Sequence, residues 1–467
     1  MSLSSKPVVT RFAPSPTGYL HIGGARTAIF NWLYAKHCGG KMLLRIEDTD
    51  ADRHNEGAVE AIIQGMKWLG LNHDSEITRQ SARGDRHQEV GLDLVEKGKA
   101  YKCYCSKEKL DELRAEFQKA KKPFRYPGIC RDLPKDYVHP DGVAPVIRLR
   151  SEATGDTQWD DLVQGNVCHQ NETLDDLIIL RSNLKPIYLL AVVVDDHDMD
   201  VTHVIRGSDH ITNTARQLQI YRACGWEPPV FSHIPLIHGT DGKKLSKRHG
   251  ATGLEEFESL GYLPEALFNY LARMSWSHGD DEIMTKEQMI EWFDIADCTK
   301  HAATMDFKNL EAMNGTYIRD YPTNDLVKII LKNCPELATI GEDRLREALP
   351  LLVPRAKTIP QFTTAGSFLY ATRPLSFDKK AEKQLNDKGK DILRDLVAEI
   401  EGTSDYSEAG LETLIKAQAE AKELKLGNIA QPLRAALTGT TASPGIYEVM
   451  MILGKDEVVG RIRDVTN

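Results

Sequence analysis

The apolar positions at the start of the chain alternate between short continuous runs and helical spacing. Residues 7–13 form an apolar run that predicts a buried strand, and a loop rich in Pro and Gly separates it from a helix that begins near Gly24. A second strand is predicted over residues 41–47, and the helix after it places Val59 and Ile62 on one face. This strand–helix–strand–helix order predicts a parallel sheet covered by helices.

The pattern changes in the middle of the chain. From residue 100 to about 185 it breaks into short strands, turns and a Pro-rich stretch at residues 123–145, which predicts an inserted domain. The earlier rhythm resumes with a strand at residues 201–206, a helix around residues 214–224 and a strand at residues 230–237. We therefore predict that the insertion splits one nucleotide-binding fold.

The carboxy-terminal part follows the helical period almost throughout. From residue 321 onward strand signals nearly vanish, and residues 381–400 and 407–424 are examples of amphipathic helix patterns. The predicted fold is thus an α/β, Rossmann-type parallel sheet split by an inserted α+β domain. An all-α region of two unequal bundles, with a boundary near Arg373, follows it.

Composition narrows the class of protein only a little. The 467 residues exceed one typical domain, and the 41% hydrophobic and 27% charged fractions are those of ordinary globular proteins. The formal net charge of −9 does not favour nucleic-acid binding, but it does not exclude it, because net charge ignores how charges are distributed. Residues 119–122 and 243–249 are locally basic, and both a positive binding surface and a solvated face remain open for them.

Two further features bear on the cellular compartment. The amino terminus lacks an apolar signal core, and the longest apolar run, residues 187–194, is too short to span a bilayer. We therefore expect a cytoplasmic protein. Its eight cysteines should then be reduced thiols and not disulfides.

Residues 14–24, Pro-Ser-Pro-Thr-Gly-Tyr-Leu-His-Ile-Gly-Gly, lie between the first predicted strand and the first predicted helix. This position predicts a phosphate site. Gly23 and Gly24 let a ligand approach the backbone, the helix offers unpaired N–H groups and the positive end of its dipole, and His21 supplies a side-chain donor. A simple turn built by Pro and Gly is the alternative.

This segment resembles the His-Ile-Gly-His signature of class I aminoacyl-tRNA synthetases, in the form typical of glutamyl-tRNA synthetases. The similarity continues through residues 45–50, 193–199, 202–207 and 427–439, so it spans nearly the whole chain. On these motifs the chain is identified as a member of the bacterial glutamyl-tRNA synthetase family. The resemblance implies that ATP is bound here by Pro14, Ser15, Thr17, Gly18, His21, Gly23 and Gly24.

A second motif, Lys244-Leu-Ser-Lys-Arg248, is similar to the mobile Lys-Met-Ser-Lys-Ser loop of the same family. Its cations suit the charge that develops on the triphosphate as pyrophosphate leaves, whereas a plain basic surface loop is the alternative. The resemblance implies that ATP also contacts Lys244, Ser246, Lys247 and Arg248, and that Mg²⁺ accompanies it. The predicted catalytic group is then His21, Gly23, Lys244 and Lys247.

A glutamate site must hold one ammonium group and two carboxylates, one of which attacks the α-phosphate. The resemblance implies a pocket lined by Arg11, Ala13, Ser15, Glu47, Tyr188 and Arg206. On charge grounds Glu47 is assigned to the ammonium group and the two arginines to carboxylates, because paired guanidinium bonds discriminate against the neutral amide of glutamine. Which arginine binds the side-chain carboxylate stays open. Ile187 and Leu189 replace polar residues of the family pattern, so glutamate affinity or selectivity could differ.

Three cysteines of the inserted region, Cys103, Cys105 and Cys130, form a candidate zinc site. Some family members have His two residues after the third cysteine, where this chain has Asp132, and Tyr126 is a rival fourth ligand. Because Cys-x-Cys is a less common zinc spacing than Cys-x-x-Cys, reduced buried cysteines are the alternative.

Arg355 lies in a stretch that resembles the family's contact with the third anticodon base. A guanidinium can make a bidentate contact with a base, whereas an exposed helix arginine is the alternative. The resemblance implies two halves of a catalytic domain, an inserted acceptor-stem-binding domain, a stem-contact domain that carries the Lys-Leu-Ser-Lys-Arg loop, and two helical anticodon-binding domains. In that order their boundaries are residues 1–99 with 186–240, 100–185, 241–320, 321–373 and 374–467.

The predicted reaction joins L-glutamate to tRNA(Glu) through a glutamyl-adenylate, with AMP and pyrophosphate as products, and a monomer is expected. Three alternatives remain open. They are a non-discriminating enzyme that also charges tRNA(Gln), a glutamyl-queuosine tRNA synthetase, which would lack the helical region, and a catalytically silent tRNA-binding paralogue.

Overall fold

A computed structural model describes residues 6–16, 18–49, 55–134, 137–138, 142–250 and 252–467, apart from the side chain of Lys247. The strands are Val9–Phe12 (β1), Lys41–Ile46 (β2), Thr78–Arg79 (β3), Ala100–Cys103 (β4), Val146–Leu149 (β5), Asp156–Asp161 (β6), Gly165–Gln170 (β7), Ile178–Leu180 (β8), His203–Gly207 (β9), Val230–Ile234 (β10), Ile237–His238 (β11) and Ala303–Thr304 (β12).

The helices divide between the two compact units of the chain. The first unit comprises Met1–Phe257 and Leu267–Asp306, and the second comprises Glu258–Ala266 and Phe307–Asn467. In chain order the helices are Ile22–His37 (α1), Glu56–Trp68 (α2), Gly84–Glu96 (α3), Lys107–Lys119 (α4), Tyr188–Asp198 (α5), Ile211–Cys224 (α6), Leu254–Ser259 (α7), Pro264–Ala272 (α8), Lys286–Trp292 (α9), Phe307–Asp320 (α10), Thr323–Asn333 (α11), Pro335–Ala338 (α12), Glu342–Leu352 (α13), Gln361–Ala365 (α14), Ser367–Tyr370 (α15), Lys379–Gln384 (α16), Asp387–Gly402 (α17), Glu408–Ala421 (α18), Leu426–Thr438 (α19), Ile446–Leu453 (α20) and Lys455–Thr466 (α21).

Parallel strands form the centre of the first unit, in one sheet of order β1–β2–β3 and another of order β7–β6–β10–β9. β1 pairs in parallel with β2, β2 with β3, and β9 with β10. The two halves meet where the backbone N–H of Thr202 donates to the carbonyl of Val9 at 2.9 Å. Buried Asn31 of α1 donates to the carbonyl of Ile205 at 3.0 Å, which fastens the first helix across both halves. The predicted parallel pairing of strands before and after the insertion is confirmed, but these strands form two sheets and not one.

The inserted region has its own antiparallel sheet, in which β5 lies between β4 and β8. Its second feature is the hairpin β6–β7, whose turn includes Gly165 at a φ of 78°, a conformation that favours glycine. β6 also pairs in parallel with β10, with Asp161 opposite Phe231. The insertion therefore extends the sheet of β9 and β10 and brings Asp161, at the end of β6, beside β10.

The second unit is helical. Residues 305–467, all of them described, contain no strand, and most of their buried apolar side chains belong to one continuous core. The helix predicted at residues 381–400 is two helices, because Asn386 ends the first and caps α17, accepting from the backbone N–H of Gly389 at 3.1 Å. The predicted all-α carboxy-terminal region is confirmed. In the described ranges no helix is both long and apolar enough to cross a membrane.

Candidate active site

A cavity of about 870 Å³ opens at the carboxyl ends of β1, β2 and β9. In open α/β sheets this edge is where ligands bind. The predicted residues that line it are Arg11, Ala13, Pro14, Ser15, Gly18, His21, Gly23, Gly24, Glu47, Tyr188, Arg206, Lys244 and Ser246. Thr17 and the Lys247 side chain lie outside the described part of the structure, and Arg248 pairs with Asp241 at 3.4 Å outside the cavity lining.

His21 caps the helix that borders this cavity. Its Nδ1 accepts from the backbone N–H groups of Gly23 and Gly24 at 3.0 and 3.3 Å. In the neutral ring Nε2 then carries the proton and is a donor. Burial, followed by the charge of Lys244, lowers the pKa of His21, which favours that neutral ring.

The two glycines of the motif also lie close to neighbouring side chains of this chain. A Cβ atom on Gly23 would lie 2.8 Å from Cε1 of His21, and one on Gly24 would lie 2.9 Å from Cδ1 of Leu20. Their missing side chains therefore make room for neighbouring side chains of this chain. Their N–H groups, expected to be unpaired, are also bonded to His21.

The loop that follows β11 crosses the edge of the cavity. Nζ of Lys244 lies 3.1 Å from Oδ2 of Asp209, and both side chains are exposed to solvent. The backbone N–H of Ser246 donates to Nδ1 of His249 at 3.0 Å. An exposed ion pair of this kind is weakly held, so the lysine can exchange Asp209 for a more highly charged partner.

A buried network of charges supports one wall. Nη1 of Arg45 lies 2.7 Å from Asp196, and Nη2 of Arg45 lies 3.1 Å from Glu47, while Nε of Arg11 contacts Asp196 at 3.2 Å. Burial raises the pKa of Glu47 although Arg45 and Arg11 oppose the shift. Burial would also raise the pKa of Asp196, yet Arg11 and Arg45 hold it below its usual value.

Arg206 differs from Arg11 because it has no acidic partner among the described residues. Its Nη2 donates to Thr214 and Gln217, both at 2.7 Å, and its Nε donates to Nε2 of His233 at 3.2 Å. Nη1 is buried and has no partner in the described structure. Burial lowers the pKa of Arg206. Arg206 is thus a buried cation of the pocket that lacks a counter-ion among the described residues.

At the start of α5, Tyr188 and its two neighbours line different cavities. Tyr188 lines the active-site cavity, and its hydroxyl lies 3.4 Å from Nδ1 of His210. Ile187 and Leu189, the two departures from the family pattern, line a separate cavity of about 980 Å³ and pack on the apolar core. Neither of them lines the cavity that contains Arg206.

The three predicted zinc ligands come together in the inserted region. Cys103, Cys105 and Cys130 place their Sγ atoms within 4.8 Å of one another, and Cys105 and Cys130 are 3.7 Å apart. The Tyr126 hydroxyl lies 3.3 Å from Cys103 and 3.6 Å from Cys105. A tetrahedron with Zn–S bonds of about 2.3 Å has edges of about 3.8 Å, so these donors fit zinc. The structure does not bring Asp132 to them, because it is exposed and pairs with Arg150 at 2.7 Å.

In the second unit, Arg355 ends the 3₁₀ helix Val353–Arg355 and is exposed. Arg434 lies near enough that, after burial, the charge of Arg355 contributes to lowering the pKa of Arg434. Arg434 itself donates to the carbonyls of Ser443 and Pro444 at 2.9 and 2.6 Å. Arg355 is therefore an exposed guanidinium, whereas Arg434 is half-buried and bonded to backbone carbonyls.

Sequence reasoning missed three residues that hold the predicted site together: Arg45, Asp196 and His233. The first two lie in motifs that the resemblance covers, at residues 45–50 and 193–199, and Arg45 of β2 is two residues before Glu47 and pairs with it at 3.1 Å. The two-residue spacing of Arg45 and Glu47 was a signal from which Arg45 could have been predicted. His233 had none, because its role depends on the pairing of β9 with β10.

Comparison with known proteins assigns the family. Residues 7–312 match the model of the catalytic domain of class I tRNA synthetases (E and Q), and residues 325–466 match that of an anticodon binding domain. The chain therefore belongs to the class I tRNA synthetases of the E and Q family.

Individual relatives are similar along the whole chain. Glutamate–tRNA ligase 2 of Brucella ovis and glutamate–tRNA ligase 1 of Brucella melitensis are each 54% identical over 470 residues, which cover 98% of this chain and 99% of the relative. The crystal structure of a glutamate tRNA ligase from Elizabethkingia meningosepticum in complex with its amino acid matches with a TM-score of 0.89 and 30% identity, covering 99% of each chain.

Proposed function

We propose that this protein ligates L-glutamate to tRNA(Glu), converting glutamate, ATP and tRNA into glutamyl-tRNA, AMP and pyrophosphate. The observation that carries the proposal is the guanidinium of Arg206, which is buried in the pocket, has no acidic partner among the described residues and leaves Nη1 unpaired. An uncompensated buried charge is costly, so the pocket selects an anionic ligand. The relatives named as glutamate–tRNA ligases, 54% identical across the chain, support the same substrate.

The two arginines have different tasks in this proposal. Arg11 already shares Asp196 with Arg45, whereas Arg206 can bind a carboxylate without losing an ionic partner. We therefore assign the side-chain carboxylate of glutamate to Arg206. Glutamine would present a neutral amide there, and its NH₂ group would face donors that it cannot satisfy.

Glu47 is the proposed partner of the substrate ammonium group. Its side chain is buried and accepts a hydrogen bond from Arg45 at 3.1 Å on the side of the network. A second cation beside it stabilises the carboxylate that burial disfavours. Glu47 and Arg206 thus provide charges of opposite sign, which match the two ends of a glutamate molecule. Ala13, Ser15 and Tyr188 complete the lining.

Adenylate formation needs no covalent enzyme intermediate. The α-carboxylate of glutamate attacks the α-phosphate of ATP in line, and pyrophosphate leaves. We propose that Nε2 of His21, the ammonium groups of Lys244 and Lys247, Ser246 and Arg248 bind the phosphates, while residues 14–18 and Gly23–Gly24 shape the site. Mg²⁺ would enter with ATP and would neutralise part of the phosphate charge. A hydroxyl of the terminal ribose of tRNA then attacks the acyl carbon of glutamyl-adenylate, the acyl–phosphate bond breaks, and AMP leaves.

The partner tRNA is proposed to contact both units. We retain residues 100–185 as the acceptor-stem domain, residues 241–320 as the stem-contact domain and residues 321–373 and 374–467 as the anticodon-binding domains, with residues 1–99 and 186–240 as the catalytic halves. Arg355, with Arg434 beside it, is the proposed contact to the third anticodon base. A cytoplasmic monomer is proposed.

Zinc is proposed for the inserted region, with Cys103, Cys105, Cys130 and Tyr126 as ligands. The separations of their donor atoms support this assignment, because they are close to the edges of a zinc tetrahedron. A structural zinc has four protein ligands and contributes to folding, not to the reaction. Its expected task is to hold the segment between β4 and β5.

ATP–pyrophosphate exchange tests the proposed function. We expect exchange with L-glutamate and not with L-glutamine, and a strong increase when tRNA(Glu) is added, as in the family. An Arg206→Gln variant should lose the preference for glutamate over glutamine, whereas an Arg222→Gln variant, whose arginine pairs with exposed Glu152, should keep it. Absence of glutamate-dependent exchange with and without tRNA would favour the catalytically silent paralogue.

A further inference from the structure

The nitrogen of Arg206 that remains unpaired depends on the residues that bind the other guanidinium nitrogens. His233, on β10, is fully buried, and its Nε2 lies 3.2 Å from Nε of Arg206 and 2.9 Å from the hydroxyl of Thr214. Its Nδ1 lies 2.5 Å from Oδ2 of Asp161. Asp161, His233 and Arg206 therefore form a continuous line from the inserted hairpin to the amino-acid pocket.

The proton positions in this line follow from the donors around Asp161. Its Oδ1 accepts from the backbone N–H groups of Val163, Gln164 and His233 at 3.1, 2.9 and 3.0 Å. An ionised carboxylate can only accept, so Nδ1 of His233 must be the donor toward Oδ2. In the neutral ring Nε2 is then an acceptor, and the Nε–H of Arg206 can donate to it.

The charge states are consistent with this arrangement. Burial would raise the pKa of Asp161, but the bond from His233 leaves that pKa lowered. Burial lowers the pKa of His233, and Arg206 adds to that effect. A neutral imidazole between a carboxylate and a guanidinium is therefore the expected state.

Resting on the function proposed above, we infer that Asp161 and His233 are a positioning pair for glutamate recognition. Asp161 sets the tautomer of His233, and His233 together with Thr214 and Gln217 immobilises the guanidinium of Arg206. Only Nη1 of Arg206 remains for the substrate. The pair thereby determines the preference for a carboxylate over an amide without touching the substrate.

The location of Asp161 connects this pair to the inserted region. It ends β6, a strand of the inserted hairpin, and reaches His233 only because β6 pairs with β10 in parallel. His233 in turn lies opposite Arg206 in the register of β10 and β9. The inserted region, proposed to bind the acceptor stem, thus contributes a residue that supports the amino-acid pocket.

An Asp161→Asn substitution tests the tautomer directly. Oδ1 of the asparagine keeps its three backbone donors, so its NH₂ group faces Nδ1 of His233 and the ring proton moves to Nε2. The N–H groups at Nε2 of His233 and at Nε of Arg206 then face each other, and neither can accept a hydrogen bond. In exchange assays with tRNA(Glu) we expect the KM for glutamate to rise about 10- to 100-fold, the loss of one charge-assisted hydrogen bond. The KM for ATP should stay within about twofold, because no ATP contact changes.

Two further variants separate positioning from general stability. Asp160→Asn is the matched control, because Asp160 is exposed and its side chain accepts from Asn166 of its own hairpin at 3.1 Å, and both KM values should stay at the wild-type level. Adding His233→Gln to Asp161→Asn removes the ring and supplies an amide oxygen toward Arg206. We expect this double variant to recover part of the glutamate affinity, which a merely structural role would not allow.

The outcomes are distinguishable. If the wild-type protein shows no glutamate-dependent exchange, the proposed function fails; if Asp161→Asn keeps the wild-type KM for glutamate, the positioning pair fails. Should Asp161→Asn not fold, imidazole ¹⁵N shifts of the wild-type protein decide, with the His233 signals assigned by their loss in His233→Gln. A proton on Nδ1 of His233 is expected, and a proton on Nε2 would overturn the inference.

Discussion

Asp196 lies 2.7 Å from Arg45 in an ion pair from which solvent is almost completely excluded. The same carboxylate contacts Arg11 at 3.2 Å, so one acid balances two cations beneath the pocket. Because Arg45 also contacts Glu47, the position of the proposed ammonium partner depends on Asp196 through one intermediate residue. The position of Glu47, which is proposed to face the substrate, thus depends on Asp196 and Arg45, which are not proposed to face it.

Removal of that acid should be costly. An Asp196→Asn variant leaves two buried guanidinium groups with less compensation, and we expect the free energy of unfolding to fall by about 3–5 kcal/mol. Urea unfolding measures the loss. Asp200→Asn is the control, because Asp200 is exposed and its φ of 53° suits asparagine, and a change within about 0.5 kcal/mol is expected. Equal stability of the two variants would contradict the role of the network.

The loop with Lys244 and Lys247 should act on the phosphates and not on tRNA binding. We expect Lys247→Ala to reduce adenylate formation about 10²- to 10³-fold, as when one group that stabilises developing charge is removed. The affinity for tRNA, measured by filter binding, should stay close to that of the wild-type protein. Near-normal adenylate formation in this variant would refute the role assigned to the loop.

Zinc content distinguishes the two rival fourth ligands. Purified protein should contain one zinc per chain by atomic emission, and Tyr126→Phe should release it at a lower chelator concentration because an oxygen ligand is lost. Asp132→Asn should retain zinc as the wild-type protein does, since Asp132 pairs with Arg150 at the surface. A metal-free protein, or zinc loss in Asp132→Asn alone, would contradict the assignment.

His210 should make stability depend on pH. Burial, and after it the charge of Arg206, lowers the pKa of His210 to about 4, whereas an unfolded histidine has a pKa of about 6.5. Between these values the unfolded chain binds more protons, so the free energy of unfolding falls as pH falls, by at most about 1.4 kcal/mol per pH unit.

A His210→Gln variant isolates this effect in thermal unfolding. The wild-type Tm should fall relative to the Tm of the variant as pH decreases from about 7 to about 5, because only the wild-type protein must exclude that proton on folding. A Tm difference that does not change over this pH range would show that His210 titrates normally in the folded protein.

Much of the fold could be predicted from local patterns. The apolar runs before and after residues 14–24 predicted β1, α1 and β2, and helical periodicity predicted the second unit, because both depend on neighbours along the chain. Asn386 shows a local signal that was overlooked, since a helix-capping residue divides what looked like one helix.

The site could be predicted only as a set of residues. Which of them share a proton or a charge depends on pairings across the chain: Arg11 contacts Asp196 185 residues away, and Asp161 contacts His233 72 residues away. The direction in which a side chain points could not be predicted from the sequence either. Tyr188 lines the active-site cavity while its neighbour Leu189 lines another, which depends on where α5 begins.

Charging of purified transcripts tests the central claim most directly. With ATP, Mg²⁺ and labelled L-glutamate, the protein should form glutamyl-tRNA(Glu), and tRNA(Gln) assayed beside it shows whether the protein discriminates between the two tRNAs. Labelled L-glutamine should be attached to neither transcript. Failure to charge tRNA(Glu) with glutamate, or attachment of glutamine, would contradict a pocket in which the unpaired guanidinium of Arg206 selects a carboxylate.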